Sequence, residues 1–575
     1  MNKFFAVVAF LAMGTFALAQ TVTVDNTNAS PDNTTTFNSI MMALHSFQAS
    51  GKITDSTDGT GKGKNHGNAA PNLIRVIATG IPYDEVLRVD ERATSSEQNI
   101  QDEAFTIEGI ASGSNSKPIV RAKDDGTNDS DGFEIRTDVN FEIYNMIFTL
   151  DPAFPDTGTG VRVVTIDRLT PTTGVSSTFK FQNCVFTGHD AAGNPLVTNK
   201  DEAFVDRTAD FTPTAGGVTG RTVAFFPDKN EGMIGTFKDC VFYRSTNLTA
   251  SRHALLWCYF AGTGVSADTQ WTEEVGVTVD GCVFMYGPGN AIESQSGGNN
   301  VNASKQFINI IGENAREGGI AEGRPTVIGV MGNTEIPANG SGIYVIEPNI
   351  TNSPNGAMSG TWNNLWIFGT TGIAIRDASG GTGGTFYWNL SDSLIFNNNL
   401  TSGGTAVQTG WRTITTPHPS SVSFDNVTVI GGSSLASPSE GTAFSFLGGS
   451  NNEPVSISMN NIVVGKSLSA TTGIVAVRNA GPSAVTVTDS AFIGSGLFAI
   501  GAAAATVNSG TGTLDATNIL TSDPKFVAYL DPLDKKFFSP AAPEYMAAGT
   551  GAIPIDGGRV WLPPPTGASK WSQYE

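Results

Sequence analysis

Charged side chains recur at one kind of place in this chain, the ends of short apolar segments: Arg136 and Asp138, Asp167 and Arg168, Asp228 and Lys229, Glu293, Arg376 and Asp377, and Arg478. A carboxylate beside a guanidinium or ammonium can hold a divalent cation while a neighbouring base removes an activated proton. Two carboxyls about 6.5–9.5 Å apart can instead divide general acid and general base roles around a water. Arg376 and Asp377 with Glu293 form the best local constellation for either and are the candidate catalytic set. Arg136, Arg168 and Arg478 are candidate substrate-binding cations on the same stripe. The competing reading is a solvated edge whose opposite charges neutralise one another, because exposed ion pairs carry little information.

Two further groups have chemical potential. The loop from Asp124 to Gly132 alternates oxygen-bearing side chains and ends in Gly, which suits calcium. Its candidate ligands are Asp125, Asp129 and Asp131, although Thr127 stands where an EF-hand count wants its first carboxylate. Calcium is therefore the one cofactor the sequence suggests. The five His residues (45, 66, 189, 253 and 418) show no ligand spacing, which argues against zinc. Trp362, Trp366, Trp388 and Trp411 cluster with Tyr387. Trp366 takes the outward position between Leu365 and Ile367 and is a candidate for stacking on a sugar ring; the alternative is packing beneath neighbouring loops.

These residues must be positioned by a repeat. Asn183-Cys184-Val185-Phe186 recurs as Asp239-Cys240-Val241-Phe242 and Gly281-Cys282-Val283-Phe284. Looser copies are marked by Asn145, Asn364, Asp392, Asn426, Asn461 and Asp489. Asn, Asp and Gly tolerate the left-handed conformation that a one-residue corner between two strands needs. A strand, a polar corner and another strand, repeated along the chain, mark a solenoid. Period-two alternation then predicts inward Cys, outward Val and inward Phe. Stacked inward thiols point the same way, so Cys184, Cys240 and Cys282 are expected to be free and buried rather than disulfide-bonded, with Cys258 another core residue.

A third strand completes each coil, seen as GFEIR (132–136), RVVTID (162–167), NAIES (290–294), TGIAIRD (371–377), TGIVAVRN (472–479) and GLFAIG (496–501). Corners 28 residues apart, as from Asn364 to Asp392, mark nearly minimal coils. Gly188 to Arg221 and 261–276 are long excursions, and the stretch from Asn309 to Asn364 fits one coil or two. Phe37, Ile40, Met41, Leu44 and Phe47 predict a helix over 36–47, placed to cap the first coil.

Composition bounds the partners. With 66 Gly, 15% charged residues and a formal charge of −20, the chain is a poor match for nucleic acid, or for an anionic glycan held by simple charge attraction. Lys3, the apolar run from Phe4 to Met13 and Ala17-Leu18-Ala19 predict an export leader over 1–19, and no run is long enough for a membrane span. The remaining divisions are an N-terminal cap and first coils (20–116), a solenoid (117–520) and a C-terminal cap (521–575).

Over most of residues 21–556 the chain resembles the right-handed parallel β-helix proteins of the pectate-lyase-like superfamily. The resemblance lies in TFNSIMMALHSF, in Gly80-Ile81-Pro82-Tyr83-Asp84-Glu85, which matches their G-x-Y-x-E turn with one extra residue, and in the closing SDPKFV…FFSPAAPEYMAAGTGA. It implies an all-β, right-handed parallel β-helix of three-strand coils, roughly 10–12 of them, with an N-terminal helical cap. It also implies a glycan cleft along the sheet built from the third strand type. The family's hydrolase set, paired Asp with Gly-His-Gly and Arg-x-Lys, is missing; Gly188-His189-Asp190 is a fragment at a loop start. The expected role is recognition of extracellular or cell-surface polysaccharide, the alternative a polysaccharide lyase or hydrolase. Oligomeric state is left open.

Overall fold

The computed structural model describes residues 21–46, 72–90, 104–123, 131–136, 140–154, 161–167 and 177–204, and then the strands and corners given below between 221 and 540. It is an all-β solenoid of stacked parallel strands, consistent with a parallel β-helix. The row before the corners includes Asn72–Ile77, Phe105–Ile110, Phe141–Tyr144, Ser177–Gln182, Met233–Lys238, Val275–Asp280, Gln306–Ile311 and Ala357–Asn363, and later Ser456–Asn460, Ala484–Thr488 and Thr513–Thr517. The row after the corners includes Tyr83–Glu85, Ile119–Ala122, Ile147–Leu150, Val185–Phe186, Val241–Tyr243, Val283–Met285, Thr326–Gly329, Leu365–Gly369, Val463–Lys466 and Ala491–Phe492. Thr385–Asn397 and Ser421–Gly431 run through their corners unbroken and so belong to both rows, joining them into one 25-stranded sheet. The third row is a separate 12-stranded sheet from Leu87–Asp90 to Thr506–Asn508.

Every corner expected from the repeat has positive φ: Asn145, Asn183, Asp239, Asn364, Asp392, Asn426, Asn461 and Asp489 lie between 46° and 56°, and Gly281 at 58°. The alternation also holds. Cys184, Cys240 and Cys282 with Phe186, Phe242 and Phe284 lie in the central core, whereas Val185, Val241 and Val283 point away from it and are themselves buried. Unshifted register stacks the inward rings, with centroids 5.6 Å apart from Phe148 to Phe186, 5.0 Å from Phe186 to Phe242 and 4.3 Å from Phe242 to Phe284. Each ring adds stacking to its apolar burial, on the order of 0.5–1.5 kcal/mol per pair.

The left-handed corner creates a hydrogen-bonding problem, and the following residue solves it. The corner N–H still reaches the next coil, as Asp239 does to the Asp280 carbonyl at 2.8 Å. The next N–H instead meets a side chain one coil on. Cys240 N–H donates to Cys282 Sγ at 3.3 Å, and Cys282 N–H to Thr326 Oγ1 at 3.2 Å. Leu365 N–H donates to Ser393 Oγ and Ile462 N–H to Ser490 Oγ, both at 3.0 Å. These acceptors also donate to the carbonyl just before their own corner, as Ser490 does to Thr488 at 2.7 Å and Cys282 to Asp280 at 3.4 Å. The cysteines thus do in the core what Ser and Thr do elsewhere in the column. All four thiols are free and buried, and burial pushes those of Cys240, Cys258 and Cys282 up.

The N-terminal turn explains part of the G-x-Y-x-E likeness. Gly80 adopts φ 82°, Tyr83 donates its hydroxyl proton to the Ile77 carbonyl at 2.8 Å, and Glu85 accepts from the Ile40 and Met41 N–H groups at 2.8 and 3.0 Å. Ser39 caps the same helix, accepting from the Met42 N–H at 3.2 Å. The helix covers only Ile40–Ser46, shorter than 36–47, because Thr36–Phe37 is drawn into parallel pairing with Thr23 and Val24. Phe47 lies outside the described residues.

Other expectations are revised. Asn309 to Asn364 holds one long coil, with second-row strand Thr326–Gly329 and third-row strand Ser341–Glu347. Strand rows already run through 20–116, where the first coils were expected, since Asn72–Ile77 pairs with Thr21–Val24 and Phe105–Ile110. Segment 496–501 lies outside the described residues, and the partner of Ile474–Asn479 is Thr506–Asn508. Gly188 to Arg221 ends in a third-row strand, Arg221–Phe226, and its described part is tied down by Lys200, which donates to Asp239 Oδ1 at 2.9 Å and the Gly281 carbonyl at 2.7 Å.

Three outcomes follow. Ser490→Ala, which strands the Ile462 N–H, costs about 1–3 kcal/mol in chemical denaturation, and Ser490→Cys restores part of it. Glu85→Ala lowers stability by about 1–2 kcal/mol through the exposed helix start. Thiol titration finds no reactive group in the folded protein and all four after unfolding.

Candidate functional site

The third sheet carries one column of positions in unshifted backbone register, alternating with the core positions. From Arg88 the register runs through Glu134, Thr165, Ala224, Trp257, Glu293, Tyr344, Ala374, Gln408 and Ser445 to Arg478. Alternation places these residues outward because their neighbours fill the core: Phe133 and Ile135 flank Glu134, and Leu256 and Cys258 flank Trp257. Arg88 Nε meets Glu134 Oε2 at 2.8 Å, and Glu134 is buried. Glu293 is buried too, and accepts from Asn290 Nδ2 at 3.0 Å.

Between the two carboxylates lies an aromatic cluster. Phe226 meets Trp257 edge-on at 4.9 Å, and Tyr259 tilts against Trp257 at 5.1 Å. The guanidinium of Arg162 sits 4.9 Å from the Phe226 ring centre. Trp257 retains 9% of its exposure, while Phe226 and Tyr259 are half-buried. Cation–π attraction holds the guanidinium over an apolar surface while leaving its N–H donors pointing sideways.

The residues expected from sequence are dispersed. Glu293 and Arg376 do not share a coil. Tyr344 and Ile346 lie between them in the register, so their backbones differ by about 10 Å along the axis and about 7 Å along the strand. Asp377 pairs in register with Glu347. Arg136 sits between Asp90 and Asp167, a backbone column of alternating sign. Arg478 is exposed beside Ser445. Arg168, Asp125 and Asp129 lie outside the described residues, as do Asp138, Asp228 and Lys229; Asp131 opens its strand opposite Arg162. Among the described residues no three His, Cys, Asp or Glu side chains converge on a metal position.

The tryptophans need correction. Trp366 points outward as expected but is only 6% exposed, so it offers no open stacking face. Trp362 and Trp388 are core residues stacked at 4.9 Å, because two inward indoles on adjacent coils fill the space beside Gly360. Trp411 lies outside the described residues. Of the aromatic cluster that does face outward, Trp257 and Tyr259 lay in ALLWCYF (254–260) and Phe226 at the end of RTVAFF (221–226). Placing Cys258 in the core already implied, by alternation, that Trp257 and Tyr259 point away from it.

The chain matches no known family, no curated protein and no solved structure.

Proposed function

We propose that this chain is an exported right-handed β-helix protein that recognises extracellular or cell-surface polysaccharide on the outward face of its third sheet. The observation that carries this reading is the pair of half-buried rings Phe226 and Tyr259 packed on the buried Trp257, with Arg162 on one flank and Glu293 on the next coil. Aromatic rings receive the C–H faces of pyranose rings, and charged hydrogen-bonding groups at their margin receive the hydroxyls. The sequence resemblance to pectate-lyase-like proteins, whose glycan cleft runs along the corresponding sheet, supports this choice of face. The leader over 1–19 brings the protein to where such glycans are, and helix Ile40–Ser46 is proposed to cover the open end of the first coils.

Register supports binding over cleavage. Glu134 and Glu293 are four coils apart, about 19 Å, too far to share a water as an inverting pair. Arg376 stands two coils from Glu293. Calcium at loop 124–132 is part of the proposal, and equal binding with and without a chelator removes it.

Affinity electrophoresis against a panel of neutral and acidic polysaccharides tests the reading. We expect retardation on at least one glycan, about tenfold weaker for Tyr259→Ala with unchanged circular dichroism, and no unsaturated uronate or new reducing end. Retardation on none of them defeats the binding reading; product release establishes the lyase or hydrolase instead.

A further inference from the structure

The outer face of the row before the corners changes character halfway along the solenoid. Its N-terminal half is charged: Arg75 meets Glu108 at 3.4 Å, Lys238 meets Asp280 at 3.2 Å, and Lys180 lies 5.3 Å from the Tyr144 ring centre. From Ala357–Asn363 onward the charges thin out. The middle outward column reads Thr361, Asn389, Ser423, Ser458, Thr486 and Asp515, in unbroken register and exposed except for the half-buried Ser423. The columns on either side are Ser, Thr and Asn except for Tyr387, Ala484 and Asp425, with no Lys or Arg in any of the six strand segments. Tyr387, 47% exposed, stands in this field beside Asn389.

The polar side chains are already organised. Ser423 Oγ donates to Asn389 Oδ1 at 3.1 Å, Thr488 Oγ1 to Asn460 Oδ1 at 2.9 Å, and Asn460 Nδ2 to Asp425 Oδ1 at 2.9 Å. Asn363 Nδ2 donates to Ser391 Oγ at 2.7 Å. Bonds running from coil to coil fix these rotamers, so a ligand meets an array that needs little ordering. Six coils and three columns span about 24 Å by about 13 Å. A sheet face of that extent, dense in hydroxyl and amide groups and charged only at Asp515 and the Asn460-bonded Asp425, repels an anionic glycan and gives a basic protein little to pair with.

We propose that this face docks the surface of an insoluble, uncharged polysaccharide, with Tyr387 stacking on a sugar ring and the Ser/Thr/Asn columns bonding its hydroxyls. The near absence of charge selects a neutral partner, and the breadth of the array selects a solid face over a single soluble chain. This site lies on a different sheet from the aromatic cluster of Trp257, and either can fail without the other.

The test is co-sedimentation of the full chain with microcrystalline cellulose and with α-chitin at low and high sodium chloride. We expect binding to at least one solid, unchanged by salt, about tenfold weaker for Tyr387→Ala and for Ser458→Lys, and unaffected by Tyr259→Ala. Sedimentation with neither solid overturns the proposal, as does full binding by both Tyr387→Ala and Ser458→Lys. Loss confined to Tyr259→Ala overturns it in favour of the third sheet, and partitioning into ice without binding either solid overturns it in favour of a water-lattice surface.

Discussion

The structure depends on turning a strand through a corner with a single residue. Parallel strands stacked coil on coil keep their backbone groups paired only while the peptide planes stay aligned. A left-handed residue swings the next N–H out of that alignment, and a buried N–H without a partner costs about 1–3 kcal/mol. The Cys, Thr and Ser side chains after the corner accept that proton and return their own to a carbonyl, where the contacts from Cys240 to Cys282, Cys282 to Thr326 and Ile462 to Ser490 are made. Core composition, strand register and the choice of Asn, Asp or Gly at the corner all follow from this requirement. It also accounts for thiols in a core otherwise built from Phe, Val and Ile, because a thiol is small and apolar yet can still accept and donate.

Much of the fold was legible because it is periodic. Corners, inward faces and free thiols were readable, since one-residue left-handed turns restrict residue choice and alternation fixes direction. Legibility failed where chain length stopped being constant. The coil from Asn309 to Asn364 was ambiguous because its long connections carry no pattern, and the short helix was overextended because apolar spacing does not reveal that Thr36 and Phe37 pair as a strand. The candidate site was less readable for a related reason. Local charge drew attention to Arg376 and Asp377, whereas what lies beside them depends on the register of residues tens of positions away. Trp366 shows the converse: its outward direction was correct, and its burial depended on cover that alternation does not encode.

The outer faces of the solenoid differ in character. The third sheet gathers aromatic rings and charges on a few adjacent coils, a local concentration of strong contacts. The C-terminal half of the first row spreads weak hydrogen-bonding groups evenly over many coils. A solenoid can carry both, because its core is satisfied by inward residues alone and each outward column is free to vary.

The column of side-chain acceptors is also directional. In the contacts described, the N–H belongs to one coil and the acceptor to the following one: Cys240 relies on Cys282, Leu365 on Ser393, and Ile462 on Ser490. A coil of this kind laid down during synthesis is therefore incomplete until its successor arrives, and its growing end carries an unmet donor. The polypeptide has a built-in vector of completion, running from its amino end toward its carboxyl end.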